Sequence, residues 1–179
     1  MKYESIADIY SANQMFRERL VSTLDGISAD EESVRPEGEK WSIRQVVEHV
    51  SMVEVGVSRI CSTLLDRAKT DGKGSDGSFS LSESFGASAA KIATAKVEAP
   101  ERVQPTGEVS ISDALARIKA ATTAITAMRS ELEAFDLSGH TFPHPFFGEL
   151  TAAEWLVVAG LHERRHTQQI DGLLAKVRQ

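Results

Sequence analysis

His162-Glu163-Arg164-Arg165-His166 decides how this 179-residue chain is read. Two histidines four apart lie about one helical turn from each other on one face, so their imidazoles can converge on a single metal ion. The same residues spell H-E-x-x-H, the signature of a zinc-protease helix. The choice is between that helix and a metal helix of another architecture. A zincin takes a third ligand, or a second motif, from downstream. Residues 167–179 hold Asp171 but neither Glu nor His, and no strand-built lobe for a peptide substrate is evident. The peptidase reading is set aside. Glu163, about 100° around the helix from His162, then reads as a surface or inter-helix partner for an arginine.

The surrounding sequence supplies the rest of the helix. Thr151-Ala152-Ala153-Glu154 is a capping box, in which the Thr hydroxyl and the Glu carboxylate satisfy first-turn amides reciprocally. Trp155, Val158, His162, His166, Ile170 and Leu173 follow on one side. A second capping box, Ser42-Ile43-Arg44-Gln45, opens a helix that continues through Val46, Val50, Val53, Val57, Ile60 and Leu64 to about Lys69. Its many Val and Ile residues, indifferent helix formers, indicate a helix held by packing. A helix from Ser5 to Asp25 carries Ile6, Ile9, Phe16, Leu20 and Leu24, with Gly26 placed to stop it. Another starts near Ser110 or Ser112 and runs to Phe135 through Leu115, Ile118, Ile125, Met128 and Leu132. Between the second and third helices, Thr70 to Ser80 is rich in Gly, Ser and Asp and reads as a mobile loop. Ala87 to Val97 suits a short helix, and Pro100 and Pro105 interrupt regular structure after it. No strand pair and no fixed-period repeat is evident. Four long helices with substantial connections predict an all-α four-helix bundle, one domain over residues 1–179.

His49 lies between Val46 and Val53 on the second helix and points inward with them, as His162 and His166 do with Val158 and Ile170. Burying three imidazoles without partners is costly. A metal removes that cost, because neutral imidazole is a good ligand for zinc, nickel, copper or iron. Three protein ligands also leave coordination positions open, the pattern of catalytic rather than structural zinc. His140 and His144 flank prolines in a loop and read as solvent-facing or local contacts. Cys61 falls in an apolar pattern and reads as a small core residue.

Composition bounds the function classes. Hydrophobic residues make up 41%, as in a soluble globular domain. A formal charge of −6 argues against a nucleic-acid binder. No apolar run reaches the ~18 residues of a membrane span, and Met1-Lys2-Tyr3-Glu4-Ser5 opens no signal-peptide core. With one cysteine, a reducing cytoplasm is the expected location.

Two blocks of sequence resemble DinB-like proteins over nearly the whole chain. Lys40-Trp41-Ser42-Ile43-Arg44-Gln45-Val46-Val47-Glu48-His49-Val50 resembles their first block. His144-Pro145-Phe146-Phe147-Gly148-Glu149-Leu150-Thr151, Glu154-Trp155-Leu156 and His162 through Ile170 resemble the closing one. The resemblance implies an up-up-down-down bundle, often dimeric, with a divalent metal on three histidines that map to His49, His162 and His166. Zinc or nickel is expected first, then iron or manganese.

Some members of the superfamily are S-transferases or isomerases that use bacillithiol, mycothiol or a glutathione-like thiol. Others resemble metal-dependent hydrolases, and many have no known activity. The leading expectation is a metal-dependent transfer of a low-molecular-weight thiol to a small electrophile. The alternatives are a hydrolase and a non-catalytic metal-binding stress-response module. Glu163 and His144 are the two candidates for a catalytic base. The Gly-rich loop is either a border of the thiol's entrance or a plain linker.

Overall fold

A computed structural model describes residues 2–94 and 98–179, with 90–94 described by their backbone. Four long helices carry the fold: α1 (Ile6–Leu24), α3 (Ile43–Asp71), α5 (Ile111–Ala127) and α7 (Ala152–Val177). Short helices α2 (Ala29–Ser33), α4 (Glu83–Thr94) and α6 (Arg129–Ala134), with a 3-10 turn at Glu101–Val103, fill the connections. Both capping boxes form. Ser42 accepts from the Gln45 amide while Gln45 accepts from that of Ser42, and Thr151 and Glu154 do the same for α7. Gly72, at φ 68°, ends α3 in the left-handed conformation.

The cross-links fix the helix directions. Asn13 donates to Leu156, Arg17 pairs with Glu163, and Arg19 pairs with Asp171, so α1 and α7 run parallel. His49 meets His162 while Cys61 lies against the Ala152 carbonyl, so α3 is antiparallel to α7. Tyr10 donates to Ile125 and Arg17 to Ile118, which sets α5 antiparallel to α1. The chain order is therefore up-down-down-up, a correction to the up-up-down-down order expected. The cause is connection length. Residues 25–42 and 135–151 join antiparallel helices that do not pack closely on each other, whereas residues 72–110 are long enough to travel back along the bundle and join the parallel, packed pair α3 and α5.

Three local readings also change. Residues 142–150 form a hairpin where no strand pair was expected, with β1 (Phe142–His144) pairing antiparallel with β2 (Gly148–Leu150). Gly148, at φ 77°, accommodates the turn. The helix expected to reach Phe135 breaks at Met128, between α5 and α6. Of the short helix expected at 87–97, α4 contains residues 87–94, and 95–97 lie outside the described residues.

Two apolar clusters hold the bundle. One gathers Leu20, Trp41, Ile43, Val46, Ile118 and Ile170 near the start of α3. The other gathers Ile9, Val57, Leu64, Ile125, Trp155 and Leu156 toward its end. Cys61 is fully buried in the second, where burial pushes its thiol up to about 12, so it is a core residue.

The Gly-rich segment is tied down. Gly74 bridges to Phe135, the Ser75 amide donates to the Ala134 carbonyl, and Lys73 pairs with Asp136. It follows the last residue of α3, about 33 Å along the helix from His49. It is a connection and not a border of the histidine site.

Candidate metal centre

The apolar stripes that drive α3 against α7 also turn His49, His162 and His166 toward one point. One ring nitrogen from each lies within 4.8 Å of the others, a cluster that could hold a metal ion. The His49 and His162 ring centroids are 4.9 Å apart, and those of His162 and His166 are 4.3 Å apart. Trp41, just before the capping box of α3, packs against the His49 ring at 4.9 Å. His49 and His166 are buried and His162 is partly so.

Hydrogen bonds fix two of the tautomers. His49 Nδ1–H donates to the Val103 carbonyl at 2.7 Å, and His166 Nδ1–H donates to Gln169 Oε1 at 2.8 Å. Each Nε2 is left with a lone pair and no proton. His49 Nε2 lies 3.0 Å from His162 Nε2. Carbonyl partners on the far nitrogen are the usual way a protein orients a metal-binding histidine. The third ring lacks this support, because His162 Nδ1 is buried without a partner.

Electrostatics keeps all three rings neutral. Burial lowers His49 against the opposing pull of the Val103 carbonyl. Burial, then the charge repulsion of His166 and His49, holds His162 well below its ordinary value. Burial and His49 bring His166 down to about 3. Three neutral imidazoles, two with lone pairs already aimed, fit a divalent ion of the zinc or nickel kind.

The two candidate bases separate. Glu163 is buried and faces α1, where its two oxygens accept from Arg17 Nε at 2.7 Å and Arg17 Nη2 at 2.6 Å. It is the inter-helix ion pair that the spacing allowed. Of the two readings of His144, solvent-facing or local contacts, the structure shows the second, with Trp155 added. It is partly buried on the hairpin, its ring 4.9 Å from Trp155 and 4.8 Å from Phe147. Its Nδ1 accepts from the Phe146 amide, so Nε2 carries the proton. Burial, then Arg102, lowers it to about 4, and it adds to the field on His162. His140 pairs with Asp71 at the far end of α3.

Sequence reasoning passed over four supports: Trp41, Gln169, the Val103 carbonyl and Arg17. Gln169 stands three residues after His166, a spacing at which helical side chains meet, and could have been found.

The sequence profile of the DinB superfamily matches residues 13–170. An uncharacterized protein of Bacillus subtilis, YuaE, is 27% identical over 155 residues, covering 86% of this chain and 90% of its own. The crystal structure of TT2238, a four-helix bundle protein, superposes with a TM-score of 0.63 at 22% identity, over 94% of this chain and 99% of that one. The bundle is shared with TT2238, and the match across the helices that carry all three histidines means that this chain belongs to the DinB superfamily.

Proposed function

We propose that this protein is a metal-dependent enzyme that transfers a low-molecular-weight thiol to small electrophiles. The carrying observation is the convergence of three neutral imidazoles from two helices, two of them oriented by hydrogen bonds, with no fourth protein ligand in the described cluster. His49, His162 and His166 would hold the ion, zinc or nickel before iron or manganese. When bound, such an ion lowers the pKa of a thiol or water at its open positions and makes a nucleophile available at neutral pH.

The chain's own groups do the remaining work. Val103 and Gln169 fix two rings, and Trp41 shields one side of the site from water. His144, neutral and carrying its proton on Nε2, is placed on the hairpin to donate a hydrogen bond to charge developing on a substrate. Glu163, with both oxygens on Arg17, holds α7 to α1 and is not free to act as a base. That favours thiol transfer over a hydrolase needing a carboxylate base. A reducing cytoplasm suits the single buried thiol, and no helix among the described residues is long and apolar enough to cross a membrane. A homodimer belongs to the same proposal, with Met15 and Val21 of α1 apolar yet 48% exposed.

The test is thiol transfer to 1-chloro-2,4-dinitrobenzene with the metal-loaded protein, followed by its absorbance. Turnover that disappears in His166→Ala supports the reading. Turnover unchanged by that substitution, or a fully loaded protein inert toward each thiol class, overturns it.

A further inference from the structure

Between α3 and α5, beneath the Glu101–Val103 turn, lies a groove of about 660 Å³. Its walls carry Ser58 and Arg59 from α3, Arg102 and Val103 from the turn, and Arg117 from α5. Ala120, Ala121 and Ala124 form a floor of small side chains that lets a ligand sit low against α5.

The charge of this groove sets it apart. The chain as a whole is acidic, at −6. Five arginines elsewhere are paired with carboxylates, Arg17 with Glu163, Arg19 with Asp171, Arg44 with Glu32, Arg129 with Glu133 and Arg178 with Glu31, while Arg35, Arg67, Arg164 and Arg165 lie outside this groove. Arg59, Arg102 and Arg117 have no carboxylate partner among the described residues, yet all three line one cavity. Three guanidiniums that line one groove without a carboxylate partner offer forked N–H donors to a single anion. The volume is that of a small-molecule site. We infer that this groove is a binding site for a small multivalent anion, carrying two carboxylates or a phosphate, which nothing in the thiol-transfer reading requires.

The groove also adjoins the histidines. Val103, which lines it, holds His49 through its carbonyl, and Arg102 lies within electrostatic reach of His144. An anion on Arg102 would therefore sit beside the turn that orients a candidate metal ligand.

The experiment is calorimetric titration at low salt, with succinate and, separately, with inorganic phosphate as probes. The proteins are the unsubstituted chain, Arg59→Gln, Arg117→Gln, and Arg35→Gln as an exposed arginine outside the groove. All three substituted side chains are exposed, so the fold should survive, and circular dichroism checks it. Saturable one-site binding is expected for at least one probe. Each groove substitution should weaken it about tenfold, as for a lost charge-assisted hydrogen bond, and Arg35→Gln should not. Succinate alone identifies a dicarboxylate and phosphate alone a phosphorylated ligand. No saturable binding of either probe overturns the inference. So does binding unchanged in both groove variants, the result expected of an anion held at the histidines instead.

Discussion

Arg17 is a single side chain on which the four long helices meet. From α1 it grips Glu163 of α7, pairs with Glu54 of α3 at 3.1 Å, and donates to Thr122 of α5 at 2.6 Å. Two buried carboxylates share one guanidinium, so burial pushes Glu54 up to about 7, against the pull of Arg17. The sign follows. Between the ordinary carboxylate value and about 7, the folded protein holds a proton on Glu54 that the unfolded chain has released. This group's contribution to stability therefore falls as pH rises through that window. Urea unfolding at pH 5 and pH 8 should show the loss, and Glu54→Gln should flatten it; an equal pH dependence in both proteins would refute the assignment. Glu163→Gln, by the same geometry, weakens an ion pair and removes no base. Transfer activity should drop by less than about tenfold, where loss of a true general base costs about a hundredfold or more. The three histidines were legible in the sequence because helical periodicity alone aims them inward. Arg17 was not, because its partners lie 37, 105 and 146 residues away and nothing local marks an arginine for burial.

At the scale of elements, α7 packs tightly on α1 at Gly160. A Cβ there would stand 2.0 Å from Asn13 Oδ1 and 3.2 Å from Phe16. Helix propensity favours Ala over Gly by about 1 kcal/mol. Against it stand the Asn13 hydrogen bond to Leu156, about 1 kcal/mol, and an overpacking strain of about 1–3 kcal/mol. Gly160→Ala should therefore lower stability in thermal unfolding by about 1–3 kcal/mol, and adding Asn13→Ala should restore part of it. A more stable single variant would show that α1 and α7 are not packed this closely. The capping boxes of α3 and α7 were readable because their chemistry is local, a hydroxyl and a carboxyl or amide three residues apart. The hairpin at 142–150 was not. Two three-residue strands containing Pro143 give no alternation to read, and the pair is held from outside, by Trp155 Nε1 donating to the Phe142 carbonyl.

For the whole molecule, an all-α four-helix bundle followed from the count and length of the apolar stripes. The up-down-down-up order did not, because apolar stripes carry no direction; long-range pairs such as Arg19 with Asp171 and Cys61 with Ala152 supply it. The proposed homodimer is checked by light scattering at micromolar concentration, where a mass near twice 19.5 kDa is expected and a mass of one chain would exclude it. The central claim is the metal centre, which joins the two halves of the bundle through α3 and α7. Elemental analysis of the untagged protein, purified without chelators, tests it most directly. One divalent ion per chain is predicted, lost in His49→Ala and in His162→Ala while the helical circular dichroism persists, since many aliphatic residues and only three imidazoles are involved. Stoichiometric metal surviving in both variants, or none in the unsubstituted protein after exposure to zinc and to nickel, would contradict it.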